Sequence, residues 1–157
     1  MLDKLVLIAA FVAVAGGCNS KKAEPNGGAP AGGGAIGAEQ MGTFTCTNLE
    51  RDVCLDPTDR FPATVPMVYM TYKTKDLPEN GGVYVIKWIA VDVGAAAPAN
   101  TVVSTLNETV KDVQPGLKNY VVNSQLSKPT NGWPVGSYRV EVSYGDKLVT
   151  TARFAIQ

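Results

Sequence analysis

The sequence contains no histidine. That absence removes the commonest general base of enzymes and the commonest nitrogen ligand of zinc or copper sites. An excess of charge of either sign is missing too, since 14 Lys plus Arg balance 14 Asp plus Glu. With no net field to draw the chain onto a polyanion, a nucleic-acid partner is disfavoured. There is no Gly-x-Ser-x-Gly elbow, no phosphate-binding glycine loop and no haem-attachment motif, so nothing implies a cofactor or names a reaction. A membrane-spanning helix needs about 20 apolar residues to cross roughly 30 Å of hydrocarbon. The apolar run "LVLIAAFVAVA" at residues 5–15 has only 11. Cysteine is scarce, with three in 157 residues: Cys18, Cys46 and Cys54. An odd count in an exported protein leaves one thiol with a separate fate.

The N-terminus supplies that fate. Asp3 and Lys4 precede the short apolar core, and the small residues Ala15-Gly16-Gly17 follow it. This is the layout of a secretory signal, whose cleavage site must fit an extended backbone into a narrow groove. With Cys18 next, residues 1–18 resemble the signal of a bacterial lipoprotein. That family carries a four-residue lipobox ending in a cysteine that is diacylated and becomes the first mature residue. Ala15-Gly16-Gly17-Cys18 departs from it in one place, Ala15, where the family usually has Leu. The resemblance implies that residues 1–17 are removed and that Cys18 is lipidated and holds the protein to a membrane. Each buried methylene contributes about 0.8 kcal/mol, so several acyl chains on one cysteine anchor durably. In Gram-negative lipoproteins, Asp after the cysteine retains the protein in the inner membrane. Asn19 stands there, which implies the outer membrane if the host is Gram-negative.

Residues 19–43, "NSKKAEPNGGAPAGGGAIGAEQMGT", hold seven Gly and five Ala and little that could enter a core. They read as a flexible Gly/Ala-rich linker, with a root-mean-square span of roughly 25–30 Å. Part of it could instead form a strand in a complex. Beyond it, Cys46 and Cys54 lie in "TFTCTNLERDVCLDPTD". In the oxidising compartment that export implies, they are expected to form a structural disulfide. A zinc site would need further ligands, and a redox-active pair is normally two residues apart. Asp52, Asp56 and Asp59 do not make the Asp-x-Asp-x-Asp-Gly run of a calcium loop.

From Val65 onward the dominant period is two, the mark of half-buried strands. "VPMVYMTYK" runs to a turn at Asn80-Gly81. "VYVIKWIAVDV" follows, with Tyr84, Ile86, Trp88 and Ala90 on one face. "TVVSTL" is a short strand. After a turn at Gln114-Pro115-Gly116, "KNYVVNSQLS" places Tyr120, Val122 and Leu126 together. "GSYRVEVSY" sends Tyr138, Val140, Val142 and Tyr144 inward. "KLVTTARFAI" sends Leu148, Thr150, Ala152, Phe154 and Ile156 the same way. Short strands between polar turns predict an all-β sandwich or barrel. The last two strands predict a register as well. A two-residue Gly145-Asp146 loop would oppose Tyr144 to Lys147 and set the wrong face of the last strand toward the core. A three-residue loop is therefore expected, pairing Val142 with Leu148 and Val140 with Thr150, with Asp146 near the left-handed region.

At "GSYRV" the chain resembles the immunoglobulin-like domains, in which strand F opens Gly-x-Tyr-x-Cys and strand C buries a Trp. Gly136-x-Tyr138-x-Val140 has Val140 in place of the cysteine, and Trp88 sits where strand C belongs. The resemblance implies an immunoglobulin-like antiparallel β-sandwich of the disulfide-free kind. The expected organisation is a signal peptide at 1–17, lipidated cysteine and linker at 18–43, disulfide loop at 44–60 and sandwich at 61–157.

Candidate chemistry is thin. Met67 and Met70 are three apart, so on a strand they point to opposite faces and cannot share a metal. Trp133 could stack on a sugar or partner, or plug the end of the sandwich. The favoured expectation is a non-catalytic envelope lipoprotein whose immunoglobulin-like module binds a protein partner through strand edges or loops. A carbohydrate- or small-ligand-binding module would need a concave patch with Trp133 or exposed tyrosines. A carboxylate-based hydrolase would need two acids about 5–10 Å apart in a cleft.

Overall fold

A computed structural model describes residues 40–157. The expected signal peptide, the lipobox-like stretch with Cys18 and most of the expected linker lie outside these described residues. Within them are β1 (Gly42–Cys46), β2 (Asn48–Glu50), β3 (Val53–Leu55), β4 (Arg60–Phe61), β5 (Met67–Thr74), β6 (Val83–Asp92), β7 (Thr101–Thr109), β8 (Tyr120–Ser127), β9 (Gly136–Tyr144) and β10 (Lys147–Ile156). One sheet has the order β1-β5-β8 and the other β4-β10-β9-β6-β7, while β2 pairs with β3 as a separate hairpin. Among the described strands only β4 with β10 is parallel. Two connections, β6 to β7 and β9 to β10, stay within the larger sheet. Those from β5 to β6, β7 to β8 and β8 to β9 cross between sheets. This is the connectivity of an immunoglobulin-like sandwich.

Alternation decides which side chains fill it. Val68 and Met70 of β5 and Val122 of β8 meet Tyr84, Ile86, Trp88, Tyr138, Val140, Val142, Ala152, Phe154 and Ile156 of the larger sheet, all buried. Trp88 is 1% exposed and donates its indole N–H to Ser124 Oγ across the sheets at 3.0 Å. The one polar atom of that ring is thereby satisfied inside the core. Val140, at the position of the family's cysteine, is fully buried in the same layer. Tyr138 stacks on Phe154, with ring centroids 5.2 Å apart, and its hydroxyl donates to the Pro134 carbonyl four residues upstream at 2.7 Å. That is the tyrosine corner of the resemblance. Gly136 opens β9 at φ 151°, and a Cβ there would lie 2.2 Å from the Asp92 carbonyl oxygen. Only glycine lets β9 and β6 approach so closely at this point.

The Asn80-Gly81 turn forms as expected, with the Gly82 N–H donating to the Glu79 carbonyl at 3.0 Å and Gly81 at φ 85°. It carries the chain from one sheet to the other.

Two expectations need correction. The stretch at 44–60 does not precede the sandwich as a loop. β1, which begins inside the expected linker, pairs with β5 from Gly42↔Lys73 to Cys46↔Tyr69, and β4 pairs with β10. The first strand is split between the sheets, and each part is too short to show a period. The terminal hairpin has the two-residue Gly145-Asp146 loop, with Tyr144 opposite Lys147. The expected pairs Val142–Leu148 and Val140–Thr150 do not form. A bulge between Leu148 and Thr150 shifts the register, so that Val142 faces Thr150 and Val140 faces Ala152. The core face is preserved by the extra residue Val149 in the strand rather than by an extra residue in the loop. Gly145, at φ 56°, takes the left-handed position expected of Asp146, as the first central residue of a II′ hairpin does.

Candidate interaction surface

The three-stranded sheet does not cover the five-stranded one. Thr43 of β1 hydrogen-bonds Thr150 of β10 at 2.8 Å, while Ser124 and Tyr120 of β8 meet Trp88 and Tyr84 of β6. With β1 over β10 and β8 over β6, β7 extends past β8 with no strand facing it among the described residues. Its pairing with β6 places Leu106 opposite Ile86 and Ser104 opposite Trp88, on the inward-facing side. Leu106 is nevertheless 43% exposed, and Val102 and Val103 are exposed as well. Glu108, opposite Tyr84 on the same side, is half-buried, and that burial raises its carboxyl above the ordinary range.

β7 and β8 are both edge strands. Natural edges are commonly protected with Lys, Pro or inward charges. β8, "YVVNSQLS", carries no charge and no proline, and β7, "TVVSTLNET", carries only Glu108. β7 does contain one protective irregularity, a register shift between Trp88 and Ile89 that leaves Val103 as the extra residue. β4 is only two residues long, and β1 is overlaid on its outward side by the β2–β3 hairpin.

Cys46 and Cys54 form the disulfide, with Cα atoms 5.6 Å apart. The bridge lies on the outer face of the smaller sheet, where both cysteines are buried with Phe44 against Leu49 and Tyr69. Beneath it Thr71 is fully buried and accepts the Cys54 N–H at 3.1 Å. Trp133 is 6% exposed, donates its indole N–H to the Val65 carbonyl at 2.6 Å and sits edge-on to Tyr138. Its ring is a plug in the end of the sandwich, not a stacking platform. Met70 is buried while Met67 is half-buried, each on its own face of β5.

The tyrosines that a ligand-binding patch would need exposed instead pack on one another at the opposite end. Tyr84 is their hub, with Tyr144, Tyr120 and Tyr72 at centroid distances of 4.9, 6.0 and 6.1 Å. Burial, and then the neighbouring Tyr72, Tyr144 and Tyr120, push the Tyr84 phenol well above its usual value. Among the described residues no group of three or more acids or cysteines could hold a metal. A shallow depression between Val91, Ser137, Ala155, Arg60 and Arg153 includes one carboxylate, that of Asp59. Sequence reasoning missed the uncovered ledge at β7, because overhang depends on how many strands each sheet has and not on any local pattern.

No protein-family model matches this chain, and no curated protein matches it. Among solved structures it is similar to an immunoglobulin-like protein from Pseudomonas aeruginosa, at 17% identity over 79% of this chain and 95% of that one, with a TM-score of 0.43. It is also similar to a β-glucosidase from Kluyveromyces marxianus solved with glucose, at 12% identity over 58% of this chain and 12% of that one, with a TM-score of 0.31.

Proposed function

We propose that this chain is a non-catalytic envelope lipoprotein, held through a diacylated Cys18 in the outer membrane of a Gram-negative bacterium, whose immunoglobulin-like domain binds a protein partner by strand addition. The observation that carries the binding reading is the uncovered ledge. An extended partner segment paired with the edge of β8 lies over β7 and covers Leu106. Main-chain hydrogen bonds supply affinity and alternate side chains supply selectivity. The lipid anchor is supported by the lipobox-like Ala15-Gly16-Gly17-Cys18, and the non-catalytic reading by the histidine-free composition and the scatter of carboxylates.

Two measurements test the halves separately. Mass spectrometry of the mature protein should find an acylated Cys18 at its N-terminus, and an unmodified mature N-terminus overturns the anchor. Affinity purification from the native envelope should retain a stoichiometric partner with the unaltered chain and lose it with Leu106→Lys. A partner retained equally by both chains places the contact elsewhere and overturns strand addition at this ledge.

A further inference from the structure

The outer face of the larger sheet carries an arrangement that strand addition does not use. β10 and β9 set Arg153 directly opposite Arg139, a like-charge cross-strand pair that works against pairing. Arg139 is neutralised: its Nε donates to Glu141 Oε1 at 2.7 Å, and its Nη1 donates to Asn100. The Arg153 side chain has no hydrogen bond or ion pair among the described residues and is exposed. One strand further, β4 runs parallel to β10 with Arg60 beside Ala155, on the same face as Arg153. Arg60 is also exposed, and its contact with Asp59 is long, at 4.0 Å.

Between these two arginines the sheet surface is low. Ser137 and Ala155 are directly paired, and two small side chains flanked by longer ones leave a depression of about 260 Å³ walled by Arg60, Arg153, Asp59 and Val91. That is below the roughly 300–1,000 Å³ of sites that enclose a drug-sized ligand, yet far larger than the ~30 Å³ of one water. It suits a terminal group, not an enclosed molecule. Two guanidinium forks lining one small depression floored by Ser137 and Ala155 match the planar oxygens of a carboxylate or the oxygens of a phosphate. One carboxylate at the rim leaves the pair with a net positive charge.

We propose that this depression is an oxyanion-binding site, in which Arg60 and Arg153 hold a carboxylate or phosphate group above Ser137. Such a group also supplies the counter-charge that the Arg153 side chain lacks among the described residues.

The test is amide chemical-shift titration of the full chain with inorganic phosphate and, separately, with acetate, at constant ionic strength. Saturable shifts are expected at Arg60, Ser137, Arg153 and Ala155. Arg153→Gln and Arg60→Gln should each weaken binding at least tenfold, while Lys118→Gln on an exposed loop leaves it unchanged. Saturation by phosphate alone assigns a phosphate-bearing ligand, by acetate alone a carboxylate-bearing one, and by both a general oxyanion site. Shifts that never saturate and spread over all exposed cations overturn the proposal. So does saturable binding that survives both arginine substitutions. None of these results depends on the ledge at β7 and β8, so either proposal can fail alone.

Discussion

β5 sends side chains into two different interiors. On its inner face Val68, Met70 and Tyr72 join a core shared with nine buried aromatic or β-branched positions of the opposite sheet, built around Trp88, Tyr138 and Phe154. On its outer face Tyr69 and Thr71 meet a cluster whose buried apolar members are just Phe44, Cys46 and Cys54. The first interior is held by area, since each large side chain contributes roughly 1.5–3 kcal/mol when fully buried. The second is too small for that, and a covalent bond takes the place of area, as it does in small domains that cannot build a sufficient core. One strand thus shows both ways of fixing a layer, and the difference predicts how each fails.

The largest effect is expected from Trp88→Ala. It removes the central ring and leaves Ser124 Oγ without its donor, for a loss of about 3–5 kcal/mol. Because whole-domain stability is about 5–15 kcal/mol, urea denaturation should show the variant close to unfolded. Replacing both Cys46 and Cys54 with Ala should cost about 2.5 kcal/mol on chain-entropy grounds. Amide exchange should then quicken in β2 and β3 while β6 and β9 stay protected. Equal loss of protection in β6 and β9 erases the distinction between the two interiors.

Thr71→Val keeps the shape beneath the hairpin but strands the Cys54 N–H, for about 1–2 kcal/mol. The same denaturation series measures it, and an unchanged midpoint removes Thr71 from the account of the outer layer. The smallest effect belongs to the ledge, which is neither interior. Burial raises the Glu108 carboxyl, so the fold binds its proton more tightly than the unfolded chain does. The associated stability is complete below the ordinary Glu range near ~4.3 and is lost as pH rises through the raised folded value. Glu108→Gln should therefore raise Tm slightly at neutral pH, with the gap closing in acid. A gap that widens in acid contradicts the burial.

The sandwich was largely legible in the sequence, and the reason is visible in β9. Tyr138, Val140 and Val142 alternate with Arg139, Glu141 and Ser143, because one face of that strand meets the core and the other meets water. β1 reads differently. Its Thr45 is buried on the inner side and its Phe44 and Cys46 are buried on the outer side, so polar and apolar residues exchange their usual places and no period emerges. The β9–β10 register shows a finer limit. Burial fixed which residues of β10 must face inward, but a loop residue and a strand bulge achieve the same phase. Only Gly145, suited to the first position of a II′ turn, distinguished the two. Of the candidate surface, the plug at Trp133 was visible as one of two choices. The ledge and the arginine pair were not, since both arise from strand order across the sheets.

The split first strand has a mechanical consequence. Any pull on the chain ahead of Gly42 is borne first by the pairs from Gly42↔Lys73 to Cys46↔Tyr69. If those yield, the load meets the bridge between Cys46 and Cys54, and the slack between the two cysteines cannot pay out. With a sequence separation of 8 and roughly 3.3–3.6 Å per extended residue, about 25 Å of travel is withheld. Force passes instead toward β4, which is fastened alongside β10 by hydrogen bonds from Ala155 N–H to the Asp59 carbonyl and from Gln157 N–H to the Phe61 carbonyl, at 2.8 and 2.9 Å. The disulfide hairpin acts as a stop knot: the front of the domain can peel by five residues without unravelling the rest.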